Sequence, residues 1–167
     1  MAITIDGAGP LAGATTLNGL TIPTTGFGKV LQVVRATDTT SRSTTSTSFV
    51  DVTGITVTIT PQKDTSAILL IASIYAGADS AGSDARASFQ ITDNSNNAIS
   101  GAQNCVFGAS DSTLFFENLI VPIGYATPAT TSATTFKLRF RSFSATTTAY
   151  AFNASQDGQL YAIEVSA

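Results

Sequence analysis

Histidine and tryptophan are absent from this 167-residue chain, which has one cysteine and one methionine. Without histidine the chain cannot form a Ser-His-Asp triad, a Cys-His pair or the zinc sites that depend on imidazole. The single cysteine, Cys105, rules out an internal disulfide. Its apolar neighbours predict a small buried side chain rather than a nucleophile. Paired carboxylates could still catalyse, as in glycoside hydrolases, but the acidic residues are few. We therefore expect no enzyme, no cofactor and no metal site built on histidine.

Charge is scarce as well. Charged residues make up 11% of the chain, against about 25% in an average soluble domain. Eleven acidic residues outnumber eight basic ones, so a basic surface for phosphates is not expected and we predict no nucleic-acid partner. The longest apolar run, residues 67–78, is shorter than the roughly 20 residues that cross a bilayer. No secretory signal pattern is visible, and we predict a soluble protein without membrane insertion.

Threonine, serine, alanine and glycine are abundant in place of charged residues. The β-branched side chain of threonine suits strands better than helices. Apolar runs alternate with turn residues, and no segment shows a helical period. Phe136, Leu138 and Phe140 alternate with basic residues. The predicted strands are KVLQVVRAT, SFVDV, ITVTITP, AILLIASIY, RASFQITD, AISGA, TLFFENLIVPI, TFKLRFRSF and GQLYAIEVSA. We predict an all-β chain forming an antiparallel two-sheet β-sandwich of the jelly-roll type, with an extended N-terminal arm.

The chain divides into a glycine- and threonine-rich arm, residues 1–27, and a sandwich domain, residues 28–167. The arm contains GAGPLAG, but its glycines follow G-x-G-x-x-x-G rather than the dinucleotide fingerprint, and no helix pattern follows. We therefore interpret the segment as an attachment arm. The apolar residues predicted to make its contacts are Ile3, Ile5, Leu11, Leu17, Leu20 and Ile22.

Most acidic residues lie in turn-like sequence, where Asx turns explain them. Asp79, Asp84 and Asp93 lie in segments whose oxygen ligands could instead hold calcium, and both readings stay open. Glu117 and Glu164 fall within predicted strands. We expect each to point outward or to pair with the basic side chains of Lys137, Arg139 and Arg141. An Asn-Ala-Ser sequon begins at Asn153, and it has meaning only in a secreted protein.

Residues 28–74 resemble a domain of tailed-bacteriophage virion proteins. The resemblance rests on the strand GKVLQVV, the Thr/Ser run leading into SFVDVTGITVTITP, and the long apolar strand that follows. The ending LYAIEVSA and the opening ITIDGAG are also similar to such proteins. One departure is Ala67, which stands where the pattern has lysine. The resemblance implies a trimeric jelly roll used in capsid decoration, fibre knobs or receptor binding.

A trimer would also explain a feature of the sequence itself. AILLIASIY and TLFFENLIV are apolar on both faces, whereas one sandwich buries only one face of each sheet, so copies packed around an axis would bury the other. A monomer in which loops or the arm cover these faces is the alternative. The predicted oligomer interface consists of Leu69, Ile71, Tyr75, Phe115 and Leu119.

The function expected from these features is a capsid decoration (cement) protein whose arm binds the major capsid protein. It would be made in the host bacterial cytoplasm and located in the virion. A short tail fibre or tail-tip receptor-binding protein, with tail proteins as partners, is the alternative. A carbohydrate-binding jelly roll that recognises a host-surface glycan is a third reading. It requires the four tyrosines to gather on one exposed surface; they are Tyr75, Tyr125, Tyr150 and Tyr161.

Overall fold

The computed structural model describes residues 16–17, 20–21, 29–80, 85–108 and 114–166. In this part of the chain every regular element is a β-strand. The strands are β1 (Thr16–Leu17), β2 (Leu20–Thr21), β3 (Val30–Asp38), β4 (Arg42–Thr44), β5 (Val50–Ile59), β6 (Ala67–Ser80), β7 (Ala85–Asp93), β8 (Ala98–Gly108), β9 (Leu114–Ile120), β10 (Ile123–Ala126), β11 (Thr134–Ser142), β12 (Thr147–Ala151) and β13 (Gly158–Val165). No described helix is long and apolar enough to span a membrane.

Two antiparallel sheets pack face to face. The first has seven strands around β6. One edge of β6 pairs with β13 and then β12, which pair in turn with β3 and β4, and its other edge pairs with β10 and β9. The second sheet has the order β5-β11-β7-β8. Counted from β3, without the short strands β4 and β12 and with β9 and β10 taken together, the first strand pairs with the last, the second with the second last, and so inward. These pairs are β3 with β13, β5 with β11, β6 with β9 and β10, and β7 with β8. This nested pairing, wrapped into two sheets, is a jelly roll and confirms the predicted fold class.

The core lies between the sheets and follows the period-two pattern of the strands. Ile68, Leu70 and Ile74 of β6 and Phe136, Leu138 and Phe140 of β11 point into this core from opposite sheets, and all six are buried. In β5, buried Val57 and Ile59 alternate with exposed threonines. Burial of these side chains contributes most of the stabilisation, at about 25 cal/mol per Å² of apolar surface.

Two strand boundaries differ from the sequence prediction. SFVDV and ITVTITP form the single strand β5, because Gly54 takes a φ of +96° and makes a bulge instead of a turn. TLFFENLIVPI divides into β9 and β10, since Pro122 lies between them and has no N–H for a sheet hydrogen bond. Strands β4 and β12 were not predicted.

The predicted hairpin of β7 and β8 is present, and Asn96 has the positive φ of 69° expected in its turn. Of the arm, Leu17 and Leu20 pair in the short β1–β2 ladder. The other predicted arm residues, Ile3, Ile5, Leu11 and Ile22, lie outside the described residues. The glycines of GAGPLAG lie outside them too, so the arm stays a prediction.

Candidate interaction face

The outer faces of the two sheets differ in chemistry. On the four-stranded sheet, Lys137 and Arg139 project outward and bind Asp51 of β5, with N···O distances of 3.2 and 2.8 Å. The side chain of Arg141 lies over the ring of Phe49. On the neighbouring strand β7, Gln90 pairs with Arg139 and Ser88 pairs with Arg141, so polar side chains continue across this surface. We call this surface the polar face.

The outer face of the seven-stranded sheet carries mostly apolar side chains, interrupted by one polar row that crosses β6 at Ser73. Register places directly paired residues on the same face. One cross-strand row runs Val33, Ile163, Leu69 and Tyr125. A second runs from Tyr161 through Ile71 to Ile123, and further pairs extend it along β6. We call this surface the apolar face; its members are Val33, Leu69, Ile71, Tyr75, Phe115, Leu119, Ile123, Tyr125, Tyr150, Tyr161 and Ile163.

All five residues predicted for an oligomer interface lie on the apolar face. Leu69, Ile71 and Tyr75 occupy alternate positions on the outer side of β6 and are half-buried. Leu119 pairs with Tyr75, and Phe115 pairs with Asp79 of the same side. Phe115 is 52% exposed and Leu119 50% exposed. Large apolar side chains half open to water on one sheet face are typical of an interaction surface.

Four aromatic rings form a cluster at one end of this face. Phe152 lies directly over Gly77, where a Cβ would stand 2.5 Å from its ring. Tyr150 stacks on Phe152 with ring centroids 5.2 Å apart. Phe115 and Tyr75 meet Phe152 at 5.7 and 6.0 Å in edge-on and tilted arrangements. Glycine at position 77 thus makes room for a ring on the sheet surface. The sequence reading did not single out Phe152 or Gly77.

Two carboxylates border the aromatic cluster. The Tyr75 hydroxyl donates to Glu117 Oε2 at 2.6 Å, and the Tyr150 hydroxyl donates to Asp79 Oδ2 at 2.6 Å. Each hydrogen bond raises the pKa of its tyrosine, because only the protonated phenol can donate it; burial and the nearby negative charge add to the shift. Glu117 is exposed, as expected, but its partner is a tyrosine rather than a basic residue.

The expectation for Glu164 was wrong. Its carboxylate is fully buried and accepts hydrogen bonds from Gln32 Nε2 at 2.6 Å and from the backbone N–H of Gln62 at 2.8 Å. Lys63 N–H adds a weaker bond at 3.4 Å. Burial raises the pKa of Glu164, but these hydrogen bonds outweigh it and the pKa lies below its ordinary value. Lys137 and Arg139 bind Asp51 instead, on the other sheet.

The candidate calcium-binding carboxylates that lie within the described residues accept hydrogen bonds from other groups of the chain. Asp93 accepts bonds from the backbone N–H and the side-chain amide of Asn97, as in an Asx turn, and this lowers its pKa. Both Asp79 oxygens accept bonds, from Thr148 N and Tyr150. Asp84 lies outside the described residues. Within the described ranges, no three His, Cys, Asp or Glu side chains gather in a metal-binding group.

Asn153 of the sequon is fully buried. Its amide donates to Asp38 Oδ2 at 2.8 Å, and its Oδ1 faces the backbone of Gly158. A glycosyl transferase needs an accessible asparagine, so the folded chain does not present this sequon.

The prediction that Cys105 is buried was wrong. On β8 the inward positions are Ala102 and Val106, so Cys105 points out to the polar face and is exposed. Its Sγ lies 3.3 Å from the Ser88 hydroxyl. The thiol lines a shallow cleft of about 460 Å³ together with Arg141 and the exposed ring of Phe143.

No protein family and no curated protein sequence matches the chain. Among solved structures, a subviral particle of infectious bursal disease virus VP2 is similar with a TM-score of 0.38 and 14% identity, over 81% of this chain. A structure of the Gx strain of the same virus gives 0.35 and 16% over 84%. The chain spans 37% and 40% of the lengths of these two proteins. At this level neither likeness assigns a function.

Proposed function

We propose that the chain is a non-enzymatic structural protein of a bacteriophage virion, in which copies join through the apolar face. The observation that carries this proposal is the contrast between the two outer faces. One sheet is covered by salt-bridged and polar groups, whereas the other leaves Phe115, Leu119, Ile123 and Tyr125 half or more exposed. A sandwich that works alone in water has no use for the second kind of surface.

The extent of the apolar face fits a stable contact between copies. Strand β6 has 14 residues, which span about 45 Å at roughly 3.3 Å per residue. Four strands lie side by side along each part of β6, in the order β3-β13-β6-β10 at one end and β4-β12-β6-β9 at the other. Their three spacings give about 14 Å of width. Together these dimensions approach the roughly 800 Å² per partner of a standard protein interface. A homotrimer is the assembly that the sequence predicts, and it remains part of the proposal.

The virion location is supported by the resemblance of residues 28–74 to tailed-bacteriophage structural proteins. Within that group we propose a decoration (cement) protein whose residues 1–27 bind the major capsid protein. A strand-like segment such as AITID can add to a neighbour's sheet edge. A short tail fibre or tail-tip protein, with tail proteins as partners, is the alternative assignment.

Immunogold electron microscopy of intact particles with antibody to this chain tests the location. Regular labelling over the head is the expected result. Labelling confined to the tail would replace the decoration role by the fibre role. Particles that bind no gold, while the same antibody detects the chain in lysate, would contradict the virion assignment.

The arm is tested separately by deleting residues 1–27. We expect the truncated chain to fold and assemble as the full chain does, but to be missing from purified particles. Loss of folding, measured by circular dichroism, would mean that these residues belong to the core of the domain.

A carbohydrate-binding role is the second candidate, because all four tyrosines lie on the apolar face. Tyr125 is 61% exposed, and the other three are half-buried. Rings on one surface beside a carboxylate suit the apolar side and the hydroxyl groups of a sugar. A glycan array probed with the full chain tests this role, with Tyr125→Ala as the comparison variant. A blank array would rule it out.

A further inference from the structure

The charges on the apolar face are few, and two of opposite sign lie on strands at opposite edges of the sheet. Arg35 of β3 pairs with Tyr161 and so belongs to this face. Glu117 of β9 pairs with Gly77 and lies on the same face beyond β6. The following inference rests on the proposal that this face joins copies of the chain, and it names the contact that sets their alignment.

Arg35 is a cation without an ionic partner in its own chain, as far as the described residues extend. It is exposed, and its guanidinium carbon lies 6.0 Å from the centroid of the Tyr161 ring. Three other basic side chains on strands are paired: Lys137 and Arg139 are both held by Asp51, and Arg42 lies 3.6 Å from Asp38. Arg141 contacts the Phe49 ring and the Thr47 carbonyl, but it lies on the polar face.

Glu117 is the corresponding anion. One of its oxygens accepts the Tyr75 hydroxyl at 2.6 Å, and among the described residues it forms no salt bridge. Asp79, its neighbour on the face, has both oxygens engaged by Thr148 and Tyr150. Beside Glu117, the edge and faces of Phe115 and Tyr75 offer a surface on which a guanidinium can also stack.

Arg35 and Glu117 cannot meet within one copy. The row of Arg35 crosses β6 at Ile71, whereas the row of Glu117 crosses it at Gly77. Six residues along the strand amount to about 20 Å, and three strand spacings add about 14 Å across it. Opposite charges on the two edges of one apolar surface are complementary to a second copy of the same surface.

We propose that Arg35 of one copy binds Glu117 of the next, against the aromatic cluster, and thereby fixes how two apolar faces align. The apolar contacts supply the attraction between copies but are compatible with many offsets. This charge pair selects one offset, because at other offsets each charge loses its hydration against apolar side chains without gaining a partner.

Charge exchange tests the pairing. Arg35→Glu and Glu117→Arg, each alone, place like charges at the contact, and we expect each to raise the dissociation constant of the assembly about tenfold or more. The double variant Arg35→Glu/Glu117→Arg restores opposite charges and should return the constant to within about threefold of the unmodified chain. Sedimentation velocity over a concentration series measures all four proteins, and circular dichroism confirms that each is folded.

Matched controls exchange charges that lie off the face. Lys63→Glu and Asp157→Arg alter exposed residues in loops and should leave the constant unchanged. Single variants that weaken assembly no more than these controls, or a double variant that stays as weak as the singles, would overturn the Arg35–Glu117 contact. If Leu119→Asp still dissociates the assembly, the proposal that copies join through the apolar face would stand despite that result. A chain that is monomeric at every concentration would overturn both.

Mixing the two single variants separates the possible assemblies. In a two-fold dimer or an even ring, alternating copies place opposite charges at every contact, so the mixture assembles. A three-membered ring cannot alternate, because at least one contact joins like variants, so the mixture stays weak while the double variant assembles. Both results uphold the pairing, and the first contradicts the trimer. A mixture and a double variant that both fail would overturn the pairing.

Discussion

At the scale of single residues, Glu164 shows how position alone reverses an expectation. It lies on the inner side of β13 beside Leu160 and Ala162, where a carboxylate without partners would be costly. Gln32 from β3 and the backbone of the β5–β6 loop supply donors instead. The buried charge therefore joins three segments of chain that are far apart in sequence.

We predict that Glu164→Gln lowers the free energy of unfolding at pH 7 by about 1–3 kcal/mol. The amide has one acceptor oxygen, so its NH₂ group must face a donor that the carboxylate satisfied. Because the pKa of Glu164 is lower in the folded chain, its contribution is complete above the ordinary value near 4.5. The contribution is lost as the pH falls from there through the folded pKa. The variant should therefore lose less stability on acidification.

Urea unfolding at pH 7 and over a series from pH 6 to 3 measures this difference. Asp157→Asn, in an exposed loop, is the control and should behave as the unmodified chain. Equal stability of Glu164→Gln and the unmodified chain at pH 7 would show that the buried hydrogen bonds contribute nothing.

At the scale of elements, glycines decide where strands bend and what packs on them. Gly54 and Gly101 both have positive φ, +96° and +75°, and each lies near a register shift, in β5 and β8. Their surroundings differ. A Cβ at position 54 would stand 2.7 Å from the Asp38 carboxylate, whereas at position 101 the nearest atom is 4.0 Å away.

We predict that Gly101→Ala costs about 1 kcal/mol, which is the backbone strain alone. Gly54→Ala should cost about 2 kcal/mol more, because Asp38 is held by Asn153 and cannot move aside. Chemical denaturation of the two variants in parallel gives the difference. Equal costs would mean that Asp38 relaxes without penalty.

Gly77 and Phe152 provide a second test at this scale. We predict that Gly77→Ala destabilises the chain by about 1–3 kcal/mol, because the new methyl group overlaps the ring of Phe152. In a Phe152→Ala background most of that cost should disappear, since the ring is gone. A double-mutant cycle by thermal or urea unfolding measures the coupling. A full cost in both backgrounds would assign it to the neighbouring backbone oxygen of Phe116 instead.

At the scale of the whole molecule, the two outer faces differ in polarity, and we propose that copies join through the apolar face. We predict that Leu119→Asp and Ile123→Asp, both at positions about half exposed, convert the assembly to monomers with little effect on folding. Each places a charge among the apolar side chains of the proposed contact, which should weaken association at least about tenfold. Gln103→Asp on the polar face is the control. Sedimentation velocity that shows the same assembly for all three would contradict an interface on the apolar face.

The period-two pattern of the sequence was enough to predict the all-β class, the β7–β8 hairpin and the inward faces of β5 and β11. These features are local, because alternation and turn residues act within a few positions of chain. The five residues predicted for an interface were chosen from strands that are apolar on both sides, and the structure places all five on one outer face; the interface itself stays a prediction. The bulge at Gly54 was missed because glycine between two apolar runs is equally typical of a turn.

Tertiary structure decided everything that depends on which strands are neighbours. Tyr75, Phe115, Tyr150 and Phe152 come from three separate segments and meet only because β9 and β12 flank β6. Gln32 and Glu164 are 132 positions apart and meet only because β3 pairs with β13. Alternation determines that a side chain faces inward or outward, but long-range pairing determines what it touches there, and no local pattern encodes that pairing.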